Sequence, residues 1–176
     1  MNNEQDKINT IDVKNYSWLE LTDYCVDIYK KMKEDEYIPE VIISISRGGF
    51  FTGLILAHLF KIQELYSIKA STNINDDIRS LRQHPQIESL FTKNNIHSLN
   101  KKKILIVDDV FNTGYTLKTV YDYMKELNTN LNIRTACMIY DTFLDGTLPV
   151  ADFIVDYYSD KRCAWAVFPW ETIDIN

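Results

Sequence analysis

The stretch from Lys103 to Leu117 limits what this chain can fold into more than any other. Ile104-Leu105-Ile106-Val107 is an unbroken aliphatic run, the mark of a strand buried on both faces. Asp108 and Asp109 follow where such a strand would end, and Thr113-Gly114-Tyr115-Thr116 then turns the chain into a helix. Leu117, Val120, Tyr121, Met124 and Leu127 recur at spacings of three and four, which gives that helix one apolar face. A strand, an acidic pair and a Thr/Gly turn opening a helix make a cradle for a sugar phosphate. Free N–H groups and the positive end of the helix dipole attract the phosphate. Thr113 and Thr116 add hydroxyl donors, Gly114 lets the backbone approach closely, and the two carboxylates can accept from ribose hydroxyls. An ordinary βα junction uses the same residue types, so the rest of the chain has to decide.

The surrounding pattern alternates strands with helices. Residues 1–15 are polar and Asn-rich and are expected to form a mobile tail, leaving 16–176 as one domain. Ser17-Trp18-Leu19-Glu20 fits a capping box, and Leu21, Tyr24, Cys25, Ile28, Tyr29 and Met32 carry an amphipathic helix to about Lys33. Val41 to Ser46 reads as a strand after Pro39, Arg47-Gly48-Gly49 as a turn, and Phe50 to Lys61 as a second helix. Further strands are expected over Leu65–Ala70, Arg134–Tyr140 and Ala151–Tyr157. Between Ser71 and Lys102 the periodicity fails, and a polar segment of that length inside a compact domain reads as a functional lid or a disordered excursion. The expectation is an α/β domain with a parallel sheet, binding its ligands at the carboxyl ends of the strands.

Composition narrows the function classes. The 176 residues are 45% hydrophobic and 25% charged, which is a globular chain able to bury a core. A net charge of −6 leaves no basic excess for a nucleic-acid surface, so any affinity for phosphate must be local. Cys25, Cys137 and Cys163, with His58, His84 and His97, show no metal-ligand spacing. Met1 to Asp12 is polar and acidic, unlike a secretory signal, and Phe50 to Phe60 is too short to span a bilayer. These features place the protein in the cytoplasm, away from membranes and nucleic acid.

Lys103–Leu117 resembles the PRPP (phosphoribosyl diphosphate) motif of the type I phosphoribosyltransferases: two acids and then Thr-Gly-x-Thr after a hydrophobic strand. The resemblance implies a single-domain parallel-sheet fold with a small carboxyl-terminal hood over about 158–176 and a flexible lid over 71–102. It implies that Asp109, Val110, Asn112, Thr113, Gly114, Tyr115 and Thr116 bind PRPP and its 5′-phosphate. Asp108, Asp109 and Asn112 take the catalytic positions, and Mg²⁺ is expected at Asp108 and Asp109, partly through PRPP. Ser46-Arg47-Gly48-Gly49 looks like the diphosphate loop of bacterial xanthine-guanine enzymes, whose cis peptide would fall here at Ser46–Arg47. Independently of the resemblance, glycine amides and a forked guanidinium suit a diphosphate.

The segment Trp165-Ala166-Val167-Phe168-Pro169-Trp170-Glu171 looks like the hood of the same enzymes. It assigns base stacking to Trp165, with Ala166 and Val167 beside the base edge, while Phe168 and Trp170 read as core. The implied reaction transfers phosphoribosyl from PRPP to a purine, with guanine, xanthine or hypoxanthine the first bases to expect, in purine salvage by a homodimer or homotetramer. A non-catalytic PRPP- or nucleotide-binding regulator, or an enzyme for another nucleobase, is the alternative. In the lid, Lys69, Ser71, Arg79 and Arg82 are further diphosphate contacts to expect. Two positions depart from the resemblance. Asn112 stands where the purine enzymes usually have Asp, and Asp141 stands in the place of a Lys that faces the purine's O6.

Overall fold

The computed structural model describes residues 12–70, 86–142 and 152–172. The first element is a short strand, β1 (Val13–Asn15), followed by α1 (Trp18–Glu34). The expected capping box is present: Ser17 Oγ accepts from the Glu20 amide at 3.2 Å and Glu20 Oε2 accepts from the Ser17 amide at 2.8 Å. Then come β2 (Val41–Ser46), α2 (Gly49–Phe60), β3 (Glu64–Lys69), β4 (Glu88–Ser89), β5 (Lys103–Phe111), α3 (Tyr115–Leu127), β6 (Asn132–Asp141), β7 (Tyr157–Arg162) and β8 (Trp165–Val167).

Six strands form one sheet in the order β4-β3-β2-β5-β6-β7, parallel except for the antiparallel β4 edge. The period-two pattern of the central strands divides the core in two. Val41, Ile43, Ile104 and Ile106 face Leu117, Val120 and Met124 of α3 on one side. Ile42, Leu105 and Val107 face Leu21, Cys25, Ile28 and Met32 of α1 and Leu56 of α2 on the other. A sheet wrapped on both faces needs strands that are apolar throughout, which is why β2 and β5 contain the unbroken runs.

Four expectations are corrected. The tail is not featureless to residue 15, because Val13–Asn15 pairs in parallel with β8; residues 1–11 lie outside the described part. The last sheet strand is Tyr157–Arg162, not Ala151–Tyr157. Asp156 Oδ2 accepts from the Thr135 amide and hydroxyl, at 2.7 and 2.8 Å, so this side chain takes the Thr135 amide and strand pairing begins one residue on, at Ala136↔Tyr157. The expected lid over 71–102 is packed chain in its second part: Phe91, Ile96 and Leu99 are buried in the core, and β4 pairs with β3. Ser71, Arg79 and Arg82 lie outside the described residues. Finally, the acidic pair does not follow β5 but belongs to it, since the strand runs on to Phe111.

Candidate active site

That last correction explains how the site is built. Hydrogen bonding between β2 and β5 stops at Ser44↔Val107, while β5 continues beside β6 to Phe111↔Tyr140. Asp108 and Asp109 therefore lie on strand backbone whose β2 side faces the turn leaving β2. This turn contains a cis peptide between Ser46 and Arg47, at the bond where the resemblance places it. It then presses Gly48 onto the acids: a Cβ on Gly48 would lie 1.8 Å from Asp109 Oδ2. A Cβ on Gly49 would lie 2.6 Å from the Val107 carbonyl oxygen. No side chain larger than hydrogen fits between this turn and β5. Thr52, one turn into α2, donates from Oγ1 to the Asp108 carbonyl at 3.2 Å and anchors the helix to the same spot.

The acids are held in place by their own backbone. The Asp109 amide donates to Asp108 Oδ1 at 3.0 Å and the Val110 amide to Asp109 Oδ1 at 2.8 Å. Burial pushes both carboxyls above the ordinary carboxylate range, and for Asp108 the neighbouring Asp109 charge adds to it. Two buried like charges side by side are an arrangement that a bound cation would relieve.

Beyond β5 the chain passes through Asn112 and the buried Thr113 to Gly114, whose φ of 80° lies in the left-handed region. Gly114 stands at the N-cap of α3 and has no side chain with which to cap it, so the opening amides of this helix meet no capping group there. Asn112 and Asp141, two separate anomalies in sequence, are one structural unit. Asn112 Nδ2 donates to Asp141 Oδ2 at 3.2 Å and to the Asp141 carbonyl at 3.3 Å. Because a backbone carbonyl can only accept, the amide orientation is settled.

Past Asp141, the Thr142 amide donates to the Arg162 carbonyl at 2.7 Å, which ties the end of β6 to the entry of the hood. In the hood, Phe168 is buried and stacks on both Tyr16 and Trp170, with ring centroids 5.7 and 4.6 Å away. Trp170 also meets Trp18 and Phe51, so the core reading of Phe168 and Trp170 holds. Trp165 is half-buried and has no aromatic ring partner among the described residues. Its amide donates to the Asp12 carbonyl at 2.7 Å, and Ala166 and Val167 pair with Lys14 and Asn15.

Sequence reasoning missed the polar wall behind the hood. Tyr24 Oη donates to Asp160 at 3.1 Å, Arg162 pairs with Asp160, and the Arg162 guanidinium lies over the Tyr16 ring at 5.3 Å. Burial, then Asp160, pushes the Tyr24 phenol up to about 12. The Tyr16 hydroxyl is buried without a partner among the described residues. Tyr16 and Tyr24 lie far in sequence from β7, and neither shows a local signal of this contact. Lys69, expected near the diphosphate, pairs instead with Glu88 at 2.8 Å.

An α/β sheet with acids, a glycine turn and a helix start gathered at the carboxyl ends of neighbouring strands is a nucleotide-type site. Residues 17–173 match the phosphoribosyl transferase domain, and the chain belongs to that family. It folds like the Helicobacter pylori xanthine-guanine-hypoxanthine phosphoribosyltransferase (TM-score 0.72, 20% identity, 91% of this chain and 94% of that one). It is similar also to a purine phosphoribosyltransferase from Pyrococcus horikoshii (TM-score 0.70, 27% identity, 94% and 98% covered). A third solved structure, a hypothetical protein from Neisseria gonorrhoeae with bound ppGpp, aligns with TM-score 0.71 at 15% identity over 94% and 92% of the chains. No curated protein matches in sequence.

Proposed function

We propose that the protein transfers phosphoribosyl from PRPP to a ring nitrogen of a purine, in purine salvage. The C1′–N bond forms as the C1′–O bond to diphosphate breaks, and diphosphate leaves. The observation that carries this reading is the contact of Gly48 with the Asp109 carboxylate, which sets the glycine turn, the acids and the Thr113–Gly114 helix start around one space. In this reading the opening amides of α3 hold the 5′-phosphate together with Thr113 and Thr116. Asp108 and Asp109 accept from the ribose hydroxyls and balance the charge of an oxocarbenium-like sugar. Arg47 and the amides of Gly48 and Gly49 receive the departing diphosphate. Trp165 supplies a stacking face, with Ala166 and Val167 at the base edge; aromatic–base stacking is worth roughly 1–3 kcal/mol.

The buried acid pair fits Mg²⁺, a hard cation that takes carboxylate and phosphate oxygens. When bound, the ion would neutralise diphosphate charge. The names of the Helicobacter and Pyrococcus enzymes support the purine class. A cytoplasmic homodimer or homotetramer completes the proposal.

The test is diphosphate release from PRPP and Mg²⁺ with each nucleobase in turn. Release with a purine supports the enzyme; nucleotide binding without turnover for any base would overturn it. That second outcome fits a regulator with the same fold, a reading favoured by Asn112, because an amide cannot serve as a base.

A further inference from the structure

The Asn112–Asp141 unit lies between the helix start that opens α3 and the strand end that leads into the hood. Asp141 is buried, ends β6 and is bonded to the residue just before Thr113. A base attached to a ribose held at Asp108 and Asp109, and stacked on Trp165, has to pass this unit. The geometry points to Asn112 and Asp141 as the base-reading pair, and to a 6-aminopurine as the base they select. This rests on the phosphoribosyl-transfer reading and narrows it.

The argument is one of donors and acceptors. The N7/C6 edge of a 6-aminopurine shows a ring-nitrogen acceptor beside an amino donor; the same edge of a 6-oxopurine shows two acceptors. An amide N–H beside a carboxylate is the complement of the first and clashes with the second, since a carboxylate facing O6 sets acceptor against acceptor. The amide carries two hydrogens, and its contacts of 3.2 and 3.3 Å both run to a single residue at the long end of the hydrogen-bond range. Asn112 is thus a positioning residue as well as a reader: it sets the carboxylate at the strand end. Sites built around one hydrogen-bonding pattern reject the wrong pattern strongly, because their own buried polar groups are then opposed.

The experiment is steady-state diphosphate release with adenine, hypoxanthine, guanine and xanthine as rival bases, and calorimetric binding of AMP against IMP. Adenine is expected to exceed hypoxanthine in kcat/KM by about tenfold or more, and AMP to bind more tightly than IMP by a similar factor. Asp141→Asn, nearly isosteric, can turn a donor toward O6 and should bring the two bases within about threefold; Asp141→Lys should reverse the order. Turnover with hypoxanthine, guanine or xanthine at parity with adenine or better overturns this inference and leaves the transfer reading intact. An unchanged ratio in both folded variants also overturns it. No turnover with any purine sinks the transfer reading and this inference with it.

Discussion

Asp108 and Asp109 show how a single residue can matter more to function than to stability. Burial raises both carboxyls, so the folded chain keeps protons to higher pH than the unfolded chain does. By linkage, the folded state binds the extra proton, and stability falls as pH rises from the ordinary carboxylate value through the raised one. Glu20 behaves in the opposite sense, held down to about 2 by Lys14 and Ser17, but it titrates below that window. The ligand-free protein should therefore melt higher near pH 5 than near pH 7, and Asp108→Asn should shrink the difference; differential scanning fluorimetry at the two pH values checks it. Asp109→Asn should lower phosphoribosyl transfer by roughly a hundredfold or more while the melting temperature holds or rises. A variant with the wild-type rate would remove Asp109 from the site.

Two elements meet the acids, and their glycines divide the work. Gly49 is pressed on the Val107 carbonyl, which belongs to a central strand and cannot yield. Gly49→Ala should cost about 1–3 kcal/mol in chemical denaturation, the usual range for overpacking. Gly48 is pressed on the Asp109 carboxylate, a side-chain end that can swing away from its bond to the Val110 amide. Gly48→Ala should cost less stability and more activity, with the KM for PRPP rising. At α1, Ser17→Ala removes half of a complete capping box and should cost about 1 kcal/mol without touching catalysis. The elements legible in sequence were those whose reasons are local: the α1 cap, the aliphatic runs of β2 and β5, and the Thr-Gly turn before α3. Strand β7 was misplaced because Ser159, Asp160, Lys161 and Arg162 look like a loop; their partners Asp27, Tyr24 and Asp160 come from across the fold.

At the scale of the whole molecule, the hood is closed by the two ends of the chain. β1 pairs with β8 over Val13↔Trp165 to Asn15↔Val167, and the Tyr16 amide donates to the Val167 carbonyl at 3.0 Å. Nothing near residue 13 announces this, because a three-residue strand has too little pattern to read and its partner lies at the far end of the sequence. For the same reason Asn112 and Asp141 could be marked as odd separately but not joined. The pairing has a consequence for function. β8 carries Trp165, the proposed stacking face, and β1 is its strand neighbour in a two-stranded sheet that a lone strand could not form. The PRPP side of the site is built from β2, β5 and α3 and has no contact with β1 in the sheet order. Removing residues 1–15 should therefore raise the KM for the base by about tenfold while the KM for PRPP changes less than about threefold. Steady-state kinetics on the truncated and full chains, with each substrate varied in turn, measure the split. An equal rise in both constants would mean that the hood and the PRPP cradle are a single cooperative unit, and Trp165 would lose its separate role.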